Sequence, residues 1–270
     1  MQARNSNRQR LILRIGRGTM SFATFSEEDD RQPAILYEPY VVKSGVSIAA
    51  NLREAFKTSD LLLQAPPRVR LMLDTDVLLV PVDLFSEQSM DDMLHHAFPQ
   101  TEPDATYFNV VPDLNCVALF AINRDLRLVV DDHFSDVQVI AAASPVWRHL
   151  HQRSYTGASR KLFGYFHERR LDVFSFQQNR FRFFNSYEAG RSHDALYFLL
   201  YVWRQLQLSA ADDELHIAGD APDSEWLNAQ LRRYLSHVFT VNPQADFLQS
   251  AVQLPKGMPY DMQTLLLKGR

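Results

Sequence analysis

Only one cysteine, Cys116, occurs in the chain, so no disulfide can form within it. It sits in the apolar run Leu114-Asn115-Cys116-Val117-Ala118-Leu119, where a thiol is expected to be buried and inert rather than nucleophilic. A lone thiol suits a reducing compartment, and the expected location is the cytoplasm. No apolar stretch reaches 18 residues, so no membrane-spanning helix is expected. The apolar run Leu11-Ile12-Leu13 ends at Arg14 and is too short for the core of a signal peptide. There is no excess of positive charge: the formal net charge is −4, against the basic balance usual in nucleic-acid-binding domains. No Walker loop, dinucleotide-binding fingerprint, Gly-x-Ser-x-Gly elbow or His-Glu-x-x-His pair is present.

What is present is the material of a large core. Hydrophobic residues make up 46% of the 270, including 18 Phe and 10 Tyr, which carry large apolar areas. A chain of this size removes roughly three quarters of its extended surface from water on folding and needs no metal or disulfide to hold it. Arg4, Arg8, Arg10, Arg14 and Arg17 crowd the start, and Glu27, Glu28, Asp29 and Asp30 follow. Such short runs read as a solvated tail and an acidic turn.

Periodicity organises the rest. Residues 10–16, 19–25 and 34–42 read as three strands, with Gly16 and Gly18 allowing a tight first turn and Pro39 marking an edge or bulge. Ser47 caps a helix whose Ile48, Leu52, Ala55 and Phe56 share one face. Strands are expected at 69–73 and 77–82, a helix at 86–97, β structure over 106–122, a helix at 124–134, a strand at 137–143 and a helix at 145–153. Residues 154–159 are small and polar and read as a linker.

The opening pattern then returns. Strands are expected at 161–167, 171–177 and 180–187, then a helix at 193–207 capped by Ser192. A strand from Glu214 to Ala218, a helix capped by Asp223 or Ser224, a strand at 238–241 and a helix at 244–252 follow, and Thr264 to Leu267 reads as strand-like. Both halves thus read β-β-β-α-β-α-β-α, the first with a β-rich insertion. The expectation is an α/β chain of two lobes, 1–155 and 156–270, with a cleft between them.

The duplicated pattern resembles the actin-like ATPase superfamily, whose two lobes are each ribonuclease-H-like. More narrowly, the chain resembles an uncharacterised bacterial family assigned that fold. The matching phrases are Val77-Leu-Leu-Val-Pro81 followed by Leu84-Phe85, then Asn109 to Phe120, and His216-Ile-Ala-Gly-Asp220 opening a helix. In active members the first hairpin carries an Asp, one residue, then a Gly; the glycine turn admits phosphate and the carboxylate holds magnesium through water. The matching stretch here is Arg14-Ile15-Gly16-Arg17-Gly18-Thr19, with arginine in place of the acid. Arginine repels magnesium, although it can pair with phosphate. The second-lobe hairpin turn, His167-Glu168-Arg169-Arg170, has no glycine, and the superfamily's Gly-Gly pair is Gly219-Asp220.

Three departures in three motifs imply a scaffold that has lost ATP turnover. The leading expectation is therefore a non-catalytic interaction protein without a cofactor. Its partner is an unknown protein or a second copy, with a surface on a Phe-rich edge. The alternative is an ATP-binding switch, with Mg-ATP between the lobes, Gly16, Gly18 and Thr19 near phosphate and Gly219 near the nucleoside. A third class, a metal hydrolase on Asp74, Asp76 and Asp131, requires those carboxylates to converge. Asp131-Asp132-His133 with Asp136, His95-His96, and His149 with His151 lack helical ligand spacing and read as ordinary polar residues. The basic and aromatic mixture in 160–170 and 180–184 matches a single-strand-binding platform, but also the alternation of a strand with one wet face.

Overall fold

The computed structural model describes residues 10–25, 34–99, 105–242, 245 and 253–268. Its strands and helices, in chain order, are β1 (Leu11–Ile15), β2 (Met20–Phe25), β3 (Ile35–Tyr40), α1 (Ile48–Thr58), α2 (Asp60–Leu63), β4 (Arg68–Leu73) and β5 (Val77–Pro81). Next come α3 (Met90–Ala97), β6 (Ala105–Val111), β7 (Cys116–Ile122), α4 (Arg124–His133), β8 (Asp136–Ala141) and α5 (Ser144–Ser154). The remainder is β9 (Lys161–His167), β10 (Arg170–Gln177), β11 (Arg180–Glu188), α6 (Ser192–Gln205), β12 (Glu214–Gly219), α7 (Ser224–Leu231), β13 (His237–Thr240) and α8 (Tyr260–Lys268).

Two five-stranded sheets have the same topology. The first is ordered β3-β2-β1-β4-β8 and the second β11-β10-β9-β12-β13. In each, the three opening strands pair antiparallel and the last two join in parallel. The expected duplication is therefore present in strand order and direction. A third sheet, β5-β7-β6, is the β-rich insertion of the first half. Phe120 and Ile122 of β7 share the core of the first sheet, and one polar side chain bonds to that sheet's edge. Asn109 on β6 donates to the Val139 carbonyl and accepts from the Ala141 amide, both at 2.9 Å, standing in for a neighbouring strand on the edge of β8.

The chain groups into two compact units. One comprises residues 1–111, 116–145 and 249–270; the other comprises 112–115 and 146–248. In the first, alternation along β1 sends Leu11, Leu13 and Ile15 toward α1 and α4, where Leu52, Ala55, Leu126 and Val130 complete the core. Ile12 faces the opposite way, into a cluster with Met72, Met262, Leu265 and Leu266. In the second unit, Leu162, Leu171, Val173, Leu215 and Ile217 pack against Leu199 and Val202 of α6 and Leu227 and Leu231 of α7. Gly164 on β9 admits this packing, since a Cβ there would stand 3.0 Å from the Leu199 side chain.

The last segment differs from the sequence expectation. Residues 264–267 are not a strand but part of α8, and α8 groups with the first unit although 156–270 was expected to form the second lobe. The reason lies in spacing: Met262, Leu265 and Leu266 stand at i, i+3 and i+4, one face of a helix, and that face covers the Ile12 side of the first sheet. The helix expected at 244–252 lies, apart from residue 245, outside the described residues, as do the N-terminal Arg4 and Arg8 and the acidic run 27–30. The helix expected from 86 begins as a short 3-10 turn and becomes α3 at Met90.

Candidate functional site

Arg14 lies on the same face of β1 as Ile12 and is 2% exposed. A guanidinium out of water must find carboxylates and satisfy its N–H groups. Its Nε donates to both carboxylate oxygens of Asp261 at 2.9 Å, and Nη2 donates to Asp74 Oδ2 at 2.9 Å. Nη1 donates to the Thr19 hydroxyl at 3.1 Å. Asp74 arrives because it follows β4 directly, and its amide continues the ladder by donating to the Ile15 carbonyl at 2.9 Å. Asp261 arrives in the first turn of α8, where its Oδ1 also accepts from the Met262 amide at 2.7 Å. Negative charge is favoured at that end of a helix. One arginine and two aspartates leave the cluster with a formal charge of −1.

Two further bonds fasten the C-terminal segment here. The Ser21 hydroxyl donates to Met262 Sδ at 3.2 Å, and the Tyr37 hydroxyl donates to the Gly257 carbonyl at 3.1 Å. Burial pushes the Tyr37 hydroxyl above its ordinary pKa, against the opposing pull of the Ser21 bond and the Arg14 charge.

The four residues expected near a nucleotide fall as follows. Gly16 closes the β1–β2 hairpin, its amide donating to the Thr19 carbonyl at 2.9 Å. A Cβ added at Gly18 would meet nothing within 4 Å. Thr19 is exposed and holds Arg14. Gly219 has φ +80°, and a Cβ there would come within 1.9 Å of the Phe166 carbonyl oxygen on β9. The protein's own backbone accounts for that glycine. The β9–β10 turn is tight and glycine-free, with Glu168 at φ 51°.

This donor set does not fit magnesium and triphosphate. The position that should carry the metal-holding acid is a cation, and the carboxylates beside it, Asp74 and Asp261, are both bonded to that cation. Among the described residues, no three His, Cys, Asp or Glu side chains are placed to hold a metal ion. Asp74, Asp76 and Asp131 are each engaged separately: Asp76 with Arg17 at 2.9 Å, and Asp131 with Arg127 of the same helix at 2.6 Å. His133 stacks on Phe56 with centroids 3.6 Å apart, while Asp136 pairs with Arg10. His95 and His96 are exposed at the end of α3. His149 and His151 are both buried on α5, and His151 meets the Gln178 carbonyl and the Tyr155 hydroxyl. Cys116 is buried, and burial pushes its thiol up to about 11, so it carries no thiolate near neutral pH.

The basic and aromatic run is placed differently from a binding platform. Phe163 and Phe174 are fully buried, and Phe181 and Phe184 meet Trp147 edge-on at 5.7 and 5.3 Å. Lys161 is buried as well, 3.2 Å from Glu214, which also receives His216 Nε2 at 2.8 Å. Burial pushes His216 down, and the Glu214 bond only partly offsets this. Burial alone would raise Glu214, but its bonds to His216 and Lys161 outweigh that and hold it low. Sequence reasoning missed both this trio and Asp261. The available signal for Asp261 was Arg14 itself: an arginine alternating with core residues in a strand requires a carboxylate partner from elsewhere.

Comparison with known proteins bears on the fold and the family. The closely superposable solved structures include a Bacteroides thetaiotaomicron VPI-5482 protein with actin-like ATPase fold and unknown function, at TM-score 0.79 and 25% identity, covering 97% of both chains. The PilM–PilN type IV pilus biogenesis complex superposes at TM-score 0.55 and 13% identity, over 96% of this chain and 94% of that one. A search of curated sequences finds no match. The family described as protein of unknown function (DUF3822) matches residues 1–238. The chain belongs to that family, and its two like sheets are those of the actin-like ATPase fold.

Proposed function

We propose that this protein is a non-catalytic interaction protein, a pseudo-ATPase in which the actin-like fold serves as a scaffold. The observation that carries this reading is the Arg14 cluster. Where the fold's active members hold a metal-binding acid, this chain holds an arginine already matched by Asp74 and Asp261. The sterically required Gly219 supports the same reading, because its glycine character needs no nucleoside to explain it. The PilM–PilN complex is a protein–protein assembly on the same fold, which is an analogy and no more. The reading places the protein in the cytoplasm, where the single buried thiol suits a reducing medium.

One observation favours the alternative, an ATP-binding switch: the turn at Gly18 and Thr19 is exposed, with open space around Gly18. A thermal-shift titration with Mg-ATP and Mg-ADP separates the two. Ligand at 100 times its dissociation constant stabilises a fold by about 2.7 kcal/mol. The expected result is no shift at millimolar nucleotide. A saturable shift that disappears in Gly18→Val would overturn the scaffold reading and return Gly16, Gly18, Thr19 and Gly219 to nucleotide binding.

A further inference from the structure

Among the described residues, β11 is the outermost strand of the second sheet and pairs as a strand only with β10. Its nine residues span about 30 Å. Proteins protect such edges with proline, short length, or charges and bulges that spoil pairing. β11 contains no proline, and its one irregularity sits near the start. The register steps from Ser175–Phe183 to Phe176–Phe181, which makes Arg182 an additional residue. From Phe183 to Glu188 the strand pairs with β10 without interruption.

The sheet face on the α6 side of this edge is aromatic. Tyr187 stacks on Phe198 with centroids 4.3 Å apart, Phe198 meets Tyr197 at 5.3 Å, and Tyr197 lies parallel to Tyr201 at 6.0 Å. Tyr197 is 62% exposed and Tyr201 46%. A row of rings continues from the edge strand along the helix and into water.

We propose that this edge is a self-association surface, where a second copy of the chain pairs its own β11 antiparallel about a twofold axis through Asn185. Two five-stranded sheets become one of ten. The sequence selects this register. Cross-strand partners in an antiparallel pair share a face, so a twofold axis must pass through a residue position rather than between two. With Asn185 on the axis, Phe183 faces Tyr187 of the second copy and Phe184 faces Ser186. The basic end, Arg180 and Arg182, lies beside Glu188 of the second copy. Arg182, Asn185 and Glu188 are all exposed.

One end of the strand is basic and the other acidic, so reversal brings opposite charges together at both ends of the seam. That is the self-complementarity an isologous interface needs. Aromatic and opposite-charge cross-strand pairs are both stabilising. The axis is perpendicular to the sheet, so both copies of α6 lie on the same face of the joined sheet, with Tyr197 and Tyr201 flanking the seam. This proposal deepens the interaction reading and rests on it.

The experiment uses the full chain in sedimentation equilibrium. Wild type is expected to be a dimer. Arg182→Glu and Glu188→Arg each place like charges at both ends of the seam, and each is expected to weaken the dimer at least about tenfold. Mixed one to one, the two variants restore opposite charges at both ends and are expected to form a heterodimer that neither forms alone. Tyr197→Arg, on the helix, is a second break that leaves the strand intact. Circular dichroism confirms that each variant is folded. A wild type that stays monomeric at millimolar concentration overturns the proposal, as does a dimer that both charge variants leave intact. A monomer showing no nucleotide shift removes the dimer and leaves the interaction reading standing. A nucleotide shift removes that reading on separate grounds.

Discussion

Each half of the molecule places an aspartate one residue beyond its first parallel strand, and the two have opposite fates. Asp74 follows β4 and its amide donates to the Ile15 carbonyl; Asp220 follows β12 and its amide donates to the Phe166 carbonyl at 3.3 Å. The ladder bond is the same in both, but the residue before the aspartate is not: Gly219 has φ +80°, whereas Leu73 lies outside that left-handed region. Asp74 is 8% exposed, whereas Asp220 stands in water. The neighbouring strand differs as well. At matching positions β1 supplies Arg14 and β9 supplies Tyr165, which is buried against His167 with centroids 4.8 Å apart. A carboxylate enters the interior where a guanidinium receives it and stays out where only a ring is present. A repeated fold therefore does not imply a repeated site; the adjacent-strand residue and the turn before the aspartate differ together.

The largest expected effect tests that comparison directly. Asp74→Ala leaves Arg14 paired with Asp261 but strips its Nη2 of a buried charge-assisted bond, and is expected to cost about 3 kcal/mol. Asp220→Ala is expected to stay within about 0.5 kcal/mol. Urea unfolding of both variants provides the measurement, and equal losses would abolish the distinction between the halves. The glycines make the next contrast. Gly219→Ala forces a Cβ onto the Phe166 carbonyl at positive φ, with an expected loss upwards of about 2 kcal/mol. Gly18→Ala meets open space and is expected to be neutral or to stabilise by up to about 1 kcal/mol.

A third contrast is in pH. The second unit contains His216, held below its ordinary pKa chiefly by burial, and Glu214, held below its own by His216 and Lys161. As pH falls below about 6.5, the unfolded histidine takes up a proton that the folded one resists. The unfolded state then binds more protons, so stability falls with pH. Below about 4.5 Glu214 adds a second loss of the same sign. His216→Phe is expected to flatten the curve below about pH 6.5 and also to shrink the lower limb, because Glu214 loses the bond that does most to hold it down. An unchanged profile would assign that limb to other groups. The smallest effect belongs to the exposed pair beside the buried one: Arg17→Ala, which removes the contact to Asp76, is expected to cost under about 1 kcal/mol.

Strand order was legible because each segment carries its own period. The three opening strands, the helix capped by Ser47 and the long α6 fall where alternation and 3.6-residue spacing place them. The site was half legible. Arg14 stood out against the glycine hairpin, but Asp261 lies 247 residues away, and no local pattern encodes a partner at that distance. The C-terminal helix was misread for a related reason. Leu265-Leu266-Leu267 is short and apolar, and such a run suits a strand or a buried helix equally until its cover is known. The Lys161, Glu214 and His216 trio was invisible because its members belong to two strands whose adjacency is a tertiary fact.

The placement of α8 also bears on how the chain acquires its structure during synthesis. Chains leave the ribosome from the N-terminus at about 5–20 residues per second. The first sheet is translated early, yet Ile12, Met72 and Arg14 have no cover or counter-charge from α8 until residues 260–268 emerge. The second unit, largely continuous over 146–248, has all its described core in hand before then. The half made first is thus completed last. A chain stalled or cleaved before Asp261 would expose a sheet face and leave Arg14 with Asp74 but without its second carboxylate, marking it as unfinished to any factor that recognises exposed apolar surface.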